Sequence, residues 1–185
     1  MKTFLSVFCK LLYKMMGWTY EDLPPEWTNK RVVIGFPHTS NMDTIRAFAY
    51  IKIAKLDVKL MIKAEWFFWP VSVFLRSLGG IPVAREKGAG TVGQIIQNFN
   101  EMDEFILALV PEGTRKKVKK VKTGFWTIAK KANVPITCWY LDNKAKKTRW
   151  VGSIIPGESI EDDLIKINRL YKKFEYTLPG MKAEP

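Results

Sequence analysis

The sequence predicts an α/β fold: a single-domain sandwich with a largely parallel mixed sheet flanked by helices, preceded by an N-terminal amphipathic helix. Three observations carry that prediction. From residue 31 onward, strand-like and helix-like segments alternate without repeats or low-complexity linkers, the order that helical crossovers between parallel strands produce. The run Phe105 to Val110 is apolar throughout and bounded by charges and Pro111, as suits a strand buried on both faces. A length of 185 residues at 47% hydrophobic content supports one full core and is short for two.

At the N-terminus, Phe4, Val7, Phe8, Leu11, Leu12 and Met15 recur at three- and four-residue spacing, with Lys10 and Lys14 one turn apart on another face. This is an amphipathic helix. It is too short and too charged to span a bilayer, and no small-residue cleavage site follows it. Two roles fit: a first helix packed on the core, or an anchor lying in a membrane interface, and the Lys, Trp and Tyr content favours the anchor. Residues 1–22 are therefore set apart as a membrane-interface helix, and residues 23–185, starting near Pro24-Pro25, as the α/β domain.

Within the domain, Arg31 to Phe36 is a β-branched strand, and Asp43 to Lys55 reads as a helix. Val58 to Lys63 is a second strand, Glu65 to Ser77 a helix, Ile81 to Ala84 a short strand and Thr91 to Met102 a helix. After the buried strand at 105 to 110 come a helix at Lys122 to Ala132 and strands at Val134 to Leu141 and Lys147 to Ile155. Ser159 then opens a terminal helix with the capping-box pattern Ser159 to Asp162.

Composition narrows the partners. Thirty Lys plus Arg against 18 Asp plus Glu give +12, so the partner is anionic: nucleic acid, an acidic membrane surface or a phosphorylated substrate. Seven Trp and eleven Phe tilt the choice toward lipid. Cys9 and Cys138 are expected to be reduced, in the cytoplasm. One histidine and no cysteine cluster give no zinc site, so no metal is expected.

In a parallel sheet, ligands bind at the carboxyl ends of the strands. The most chemical residues of this chain stand there. Pro37-His38-Thr39-Ser40-Asn41-Met42-Asp43 follows the first strand and holds the only histidine, and Pro111-Glu112-Gly113-Thr114-Arg115 follows the buried one. A carboxylate at Asp43, hydrogen-bonded to one ring nitrogen of His38, would fix the tautomer and steady the imidazolium formed when the other nitrogen takes a proton. Asp43 also sits where a helix N-cap or first-turn acid belongs. No serine or cysteine stands in a nucleophile setting. A base without a nucleophile implies direct attack by a substrate hydroxyl on a donor with a good leaving group, such as a thioester.

His38-x4-Asp43, then Lys63-Ala64-Glu65 leading to Pro70 and Gly79-Gly80-Ile81-Pro82-Val83-Ala84-Arg85, then Glu112-Gly113-Thr114-Arg115, then Val134-Pro135-Ile136, resemble in order the four motif blocks of the glycerolipid acyltransferases. The similarity covers roughly residues 30 to 140, and the nearest branch is that of the bacterial 1-acylglycerol-3-phosphate acyltransferases. The resemblance implies transfer of a fatty acyl group from acyl-CoA or acyl carrier protein to a lysophospholipid hydroxyl, with these thioesters as co-substrates and no cofactor. His38 would be the general base and Asp43 its orienting partner. The Glu112-Gly113-Thr114-Arg115 block would bind the glycerol phosphate region of the acceptor, with Arg85 and Lys63 adding positive charge.

The chain departs from many family members in having Pro82-Val83-Ala84-Arg85 for Phe-Ile-Asp-Arg, Cys138 where proline is common, and Pro37 where asparagine is common. These bear on the acceptor more than on the chemistry. Trp66-Phe67-Phe68-Trp69 is a candidate for the mouth of an acyl tunnel or for membrane contact, with core packing as the ordinary reading. The lysine-rich run at 116 to 122 is a solvated face or a contact for anionic lipid or an acidic carrier protein. The expected location is the cytoplasmic face of a membrane, peripherally bound. Two other functions remain open: a catalytically silent lipid-binding protein of the same fold, and a basic nucleic-acid-binding module. The intact His38 and Asp43 weigh against the first, and the apolar N-terminal helix and lack of a nucleic-acid motif against the second.

Overall fold

The chain opens with helix α1 (Lys2–Met15), whose two faces go to different places. Cys9 and Tyr13 are buried, and α1 packs along α2 (Asn41–Ile53), with the Ser6 hydroxyl donating to the Ile53 carbonyl. The Tyr13 hydroxyl donates to the Arg46 carbonyl at 2.8 Å, so the two helices run antiparallel. On its other side α1 presents Phe4, Val7, Phe8, Leu11 and Met15 to solvent, with Phe4 79% and Met15 76% exposed. The computed structural model describes residues 2–37, 40–83, 88–113 and 118–181.

After α1 come β1 (Thr19–Tyr20), β2 (Lys30–Phe36), α2 and β3 (Val58–Lys63). A 3₁₀ turn at Ala64–Trp66 leads to α3 (Val71–Ser77), β4 (Gly80–Val83), α4 (Gly88–Glu101) and β5 (Phe105–Leu109). The chain then forms α5 (Gly124–Lys131), β6 (Ile136–Asp142), β7 (Lys147–Ile154) and α6 (Ile160–Lys172). The strands make one sheet in the order β1-β7-β6-β2-β5-β3-β4. β6, β2, β5, β3 and β4 are mutually parallel, while β7 runs antiparallel to β6 and carries β1 parallel to itself.

Strand alternation divides the core between the two faces. Val32, Ile34 and Phe36 of β2 join Leu107, Ile136 and Cys138 against Ile95 and Phe99 of α4, Phe125 and Ile128 of α5, and Ile167 and Tyr171 of α6. The intervening residues of these strands, among them Val33 and Ile106, pack with Val58 on the opposite face, which α2 covers. β2 is thus buried on both faces along nearly all its length, which places the residues that follow it at the middle of one sheet edge.

Several boundaries differ from the sequence expectation for local reasons. The helix expected at 65 to 77 is two pieces, because Pro70 has no N–H to give and disfavours helical backbone at Trp69. β6 starts at Ile136, after Pro135, which cannot donate to the ladder. The two-residue strand β1 carries no pattern that sequence could show. At the C-terminal helix, Ser159 caps as expected by accepting from the Asp162 amide at 3.2 Å. No helix among the described residues is long and apolar enough to cross a membrane.

Candidate active site

The in-register pairing of β2, β5, β3 and β4 brings three of the four motif blocks to one edge. Ile34 is level with Leu109, Leu60 with Ala108, and Lys63 with Val83. With parallel strands about 4.8 Å apart, the carboxyl ends of β2, β3 and β4 and the turn at Glu112 lie along one edge. Val134-Pro135-Ile136 lies at the opposite edge, where the Pro135 carbonyl accepts from the Val32 amide. That block holds β6 to β2 and does not reach the site.

Asp43 is fixed by local chemistry. Ser40, with extended backbone, caps α2: its hydroxyl accepts from the Asp43 amide at 3.3 Å, and the Asp43 Oδ2 accepts from the Ser40 amide at 2.7 Å. This is a reciprocal capping box. The Asp43 carboxylate is buried, and its Oδ1 accepts from Arg46 Nη1 at 3.1 Å. Asp43 is therefore the first-turn acid that its position suggested. Sequence reasoning missed Ser40 as the cap, although the Ser-x-x-Asp pattern was there to read, and it missed Arg46.

Arg46 is a junction. Its Nη1 also donates to Asn143 Oδ1 at 3.2 Å, in the turn between β6 and β7, and its guanidinium carbon lies 4.2 Å over the Trp18 ring. Its Nε is buried with no hydrogen-bond partner among the described residues.

Behind Asp43, between α2 and the sheet, lie two adjoining cavities of about 110 and 100 Å³. The first is walled by Pro37, Asp43, Thr44, Phe48 and Leu141; the second, lined by apolar atoms alone, ends at Tyr50, Trp139 and Trp150. They share Gly35, Ala47, Ile51, Leu60, Val110 and Trp139. Gly35 allows this packing, since a Cβ there would stand 2.9 Å from the Trp139 ring. In the wall of the second cavity the Trp150 indole donates to Tyr50 Oη at 2.6 Å, and Trp27 packs on Trp150 at 4.8 Å between ring centroids.

Beyond β5, buried Pro111 leads to Glu112, whose carboxylate accepts from the Tyr176 hydroxyl at 3.2 Å. Burial and the Glu112 charge push the Tyr176 phenol up, which keeps it a donor. Gly113 has φ +62, a left-handed conformation that favours glycine, and Lys122 lies over it. Neither cysteine is an activated nucleophile: both thiols are free and buried, and burial pushes Cys138 up to about 12.

His38, Arg85, Thr114 and Arg115 lie outside the described residues, as do the side chain of Lys63 and residues 116 and 117 of the lysine run. Lys119, Lys120 and Lys122 of that run are exposed, while Val121 packs on the main core. Of the aromatic segment, Trp66, Phe68 and Trp69 stand exposed rather than in the core, Trp69 to 82%.

Comparison with known proteins agrees with this architecture. The crystal structure of the 1-acyl-sn-glycerophosphate (LPA) acyltransferase PlsC from Thermotoga maritima is similar at TM-score 0.63 and 18% identity, over 94% of this chain and 78% of that one. At such identity the likeness is one of fold. A search of curated proteins gives no match. Among protein families, acyltransferase matches residues 19–141, more than half of the sequence and inclusive of every motif block above. The chain belongs to the acyltransferase family.

Proposed function

We propose that the protein moves a fatty acyl group from an acyl thioester, acyl-CoA or acyl carrier protein, to a hydroxyl of a lysophospholipid such as 1-acylglycerol-3-phosphate. The observation that carries this reading is the Asp43 carboxylate. It is buried, held through both oxygens, five residues after the only histidine, and on the wall of an apolar cavity. In the proposed step, His38 takes the proton of the acceptor hydroxyl as its oxygen attacks the thioester carbonyl. Collapse of the tetrahedral adduct breaks the C–S bond, and the departing thiolate takes the proton from the imidazolium, leaving an ester and a free thiol. Asp43 steadies the charged imidazole between the two transfers.

The cavity suits the distal part of an acyl chain, being lined by apolar atoms. Arg115, Arg85, Thr114, Gly113, Glu112 and Lys63 are the proposed acceptor residues, the arginines gripping its phosphate as planar forks. Peripheral attachment to the cytoplasmic face of a membrane, through the exposed side of α1, completes the reading. No cofactor beyond the thioester is needed. The test is to incubate purified protein with a panel of lysolipids and acyl thioesters and to identify products by mass. A phosphorylated lysolipid should be acylated, and His38→Ala should lose about 10²-fold or more of the rate while keeping its circular dichroism. Wild-type turnover in that variant would remove His38 from the mechanism, and a preference for unphosphorylated acceptors would overturn the arginine assignment.

A further inference from the structure

We propose that Arg46 is a positioning residue for acyl transfer, setting the orientation of the Asp43 carboxylate and tying it to the end of the N-terminal helix. The inference rests on the proposed His38 and Asp43 pair. A side-chain carboxylate turns about its terminal bond with little resistance, and a base partner that turns orients the imidazole poorly. Asp43 is stopped at both oxygens: the Ser40 amide holds Oδ2 and Arg46 Nη1 holds Oδ1. Each carboxylate oxygen has two lone pairs, so neither contact consumes its capacity to accept from an imidazole N–H.

The capping box alone would satisfy the helix start. Arg46 adds nothing that the cap requires, yet it is built in from three further directions. Trp18, just beyond α1, stacks on its guanidinium at 4.2 Å. Asn143 accepts from the same Nη1 that reaches Asp43, and Tyr13 of α1 donates to its carbonyl. Tyr13 thus holds the Arg46 backbone to α1, while Trp18 and Asn143 fix the guanidinium itself, which hands that fixity to one oxygen of Asp43. Its Nε is buried and has no hydrogen-bond partner among the described residues, a cost that the cap itself does not require.

The test compares Arg46→Gln and Arg46→Lys with wild type, in steady state, varying acceptor and donor separately. If Arg46 positions Asp43, Arg46→Gln lowers kcat by about 10-fold or more while both KM values stay within about 2-fold, because misplacement of a catalytic group costs rate rather than binding. Arg46→Lys, which restores a cation on a flexible stem, recovers part of the loss. In an Asp43→Asn background, Arg46→Gln should cost no more than about 2-fold further, since a residue that acts through Asp43 has nothing left to act upon. A folded Arg46→Gln protein with wild-type kcat, or losses that multiply in the double variant, overturns the proposal. Should Arg46→Gln fail to fold, Asn143→Ala removes one anchor of the guanidinium from an exposed turn. It should lower kcat by about 2- to 5-fold at unchanged KM, and an unchanged kcat there counts equally against the idea. Wild-type rates in His38→Ala and Asp43→Asn sink the pair itself, and this inference with it. Loss in those two alongside an unaffected Arg46→Gln sinks the inference alone.

Discussion

Asp163 and Asp43 are both buried acids in the first turn of a helix, and their partners assign them different work. Asp163 accepts from the Gly157 amide at 2.6 Å, the Lys166 ammonium at 2.8 Å and the Trp126 indole at 2.9 Å. These groups pin α6 to α5 and to the segment before it. Burial acts to raise the Asp163 carboxyl, but the bonds from Lys166, Trp126 and Gly157 outweigh it and hold the group below its ordinary range. A lowered folded-state value contributes stability in full above the unfolded value of about 4, and loses it as pH falls through the folded value. Asp163→Asn should therefore be less stable than wild type by about 2 kcal/mol at pH 7, the scale of a charge-assisted hydrogen bond. The gap should narrow as pH drops below about 4. Urea unfolding of both proteins across that range checks it, and a gap that ignores pH would show that the charge is not what these donors hold.

At the scale of elements, the two sequence readings of α1 describe one helix with two sides. Three-residue and four-residue spacing identifies a stripe but not what covers it. Of the stripe, Phe4, Val7, Phe8, Leu11 and Met15 are exposed and Leu12 is half-buried, packing with Cys9 and Tyr13 in the cluster that includes α2. Deleting residues 1–18 would thus remove Tyr13 and Trp18 from a packed cluster as well as the exposed face, and would confuse binding with stability. Replacing Phe4, Phe8 and Leu11 by serine is the cleaner change. Burial of such side chains in lipid gives about 25 cal/mol per Å² before ordering costs. The triple variant should therefore lose most of its sedimentation with anionic vesicles while its melting temperature stays near wild type. Equal sedimentation would move the attachment to Trp66, Phe68 and Trp69.

For the molecule as a whole, the arrangement of cavity and acid yields a prediction about substrate length. Ala47 lies on α2, one turn after Asp43, and borders both cavities. Ala47→Phe should fill the passage between them and favour short acyl thioesters over long ones, with the chain-length profile of the products as the measurement. Unchanged use of long chains would place the acyl group elsewhere. Much of this architecture was legible in the sequence: β3 falls at Val58–Lys63 as read, and Asp43 and Glu112 follow the ends of β2 and β5. What was not legible is nonlocal. The clamp on Asp43 joins Trp18, Arg46 and Asn143, residues too far apart in the chain for any spacing rule. The wall of the second cavity likewise unites Tyr50, Trp139 and Trp150 through sheet order. Local rules decide which segments form, while topology decides which of their side chains meet.

The sheet order also has a temporal meaning. β2, the middle strand, leaves the ribosome before both of its neighbours, β5 and β6, and the latter ends at Asp142. The same holds at the margin, where β1 waits for β7. A nascent chain must therefore carry Val32, Val33 and Ile34 unpaired while roughly seventy further residues are made, until β5 emerges, which at about 5–20 residues per second lasts several seconds or more. Pairings of such long separation are slow to close even in the finished chain. During synthesis, then, the middle strand of the sheet stands open to aggregation for an interval set by the order of the strands.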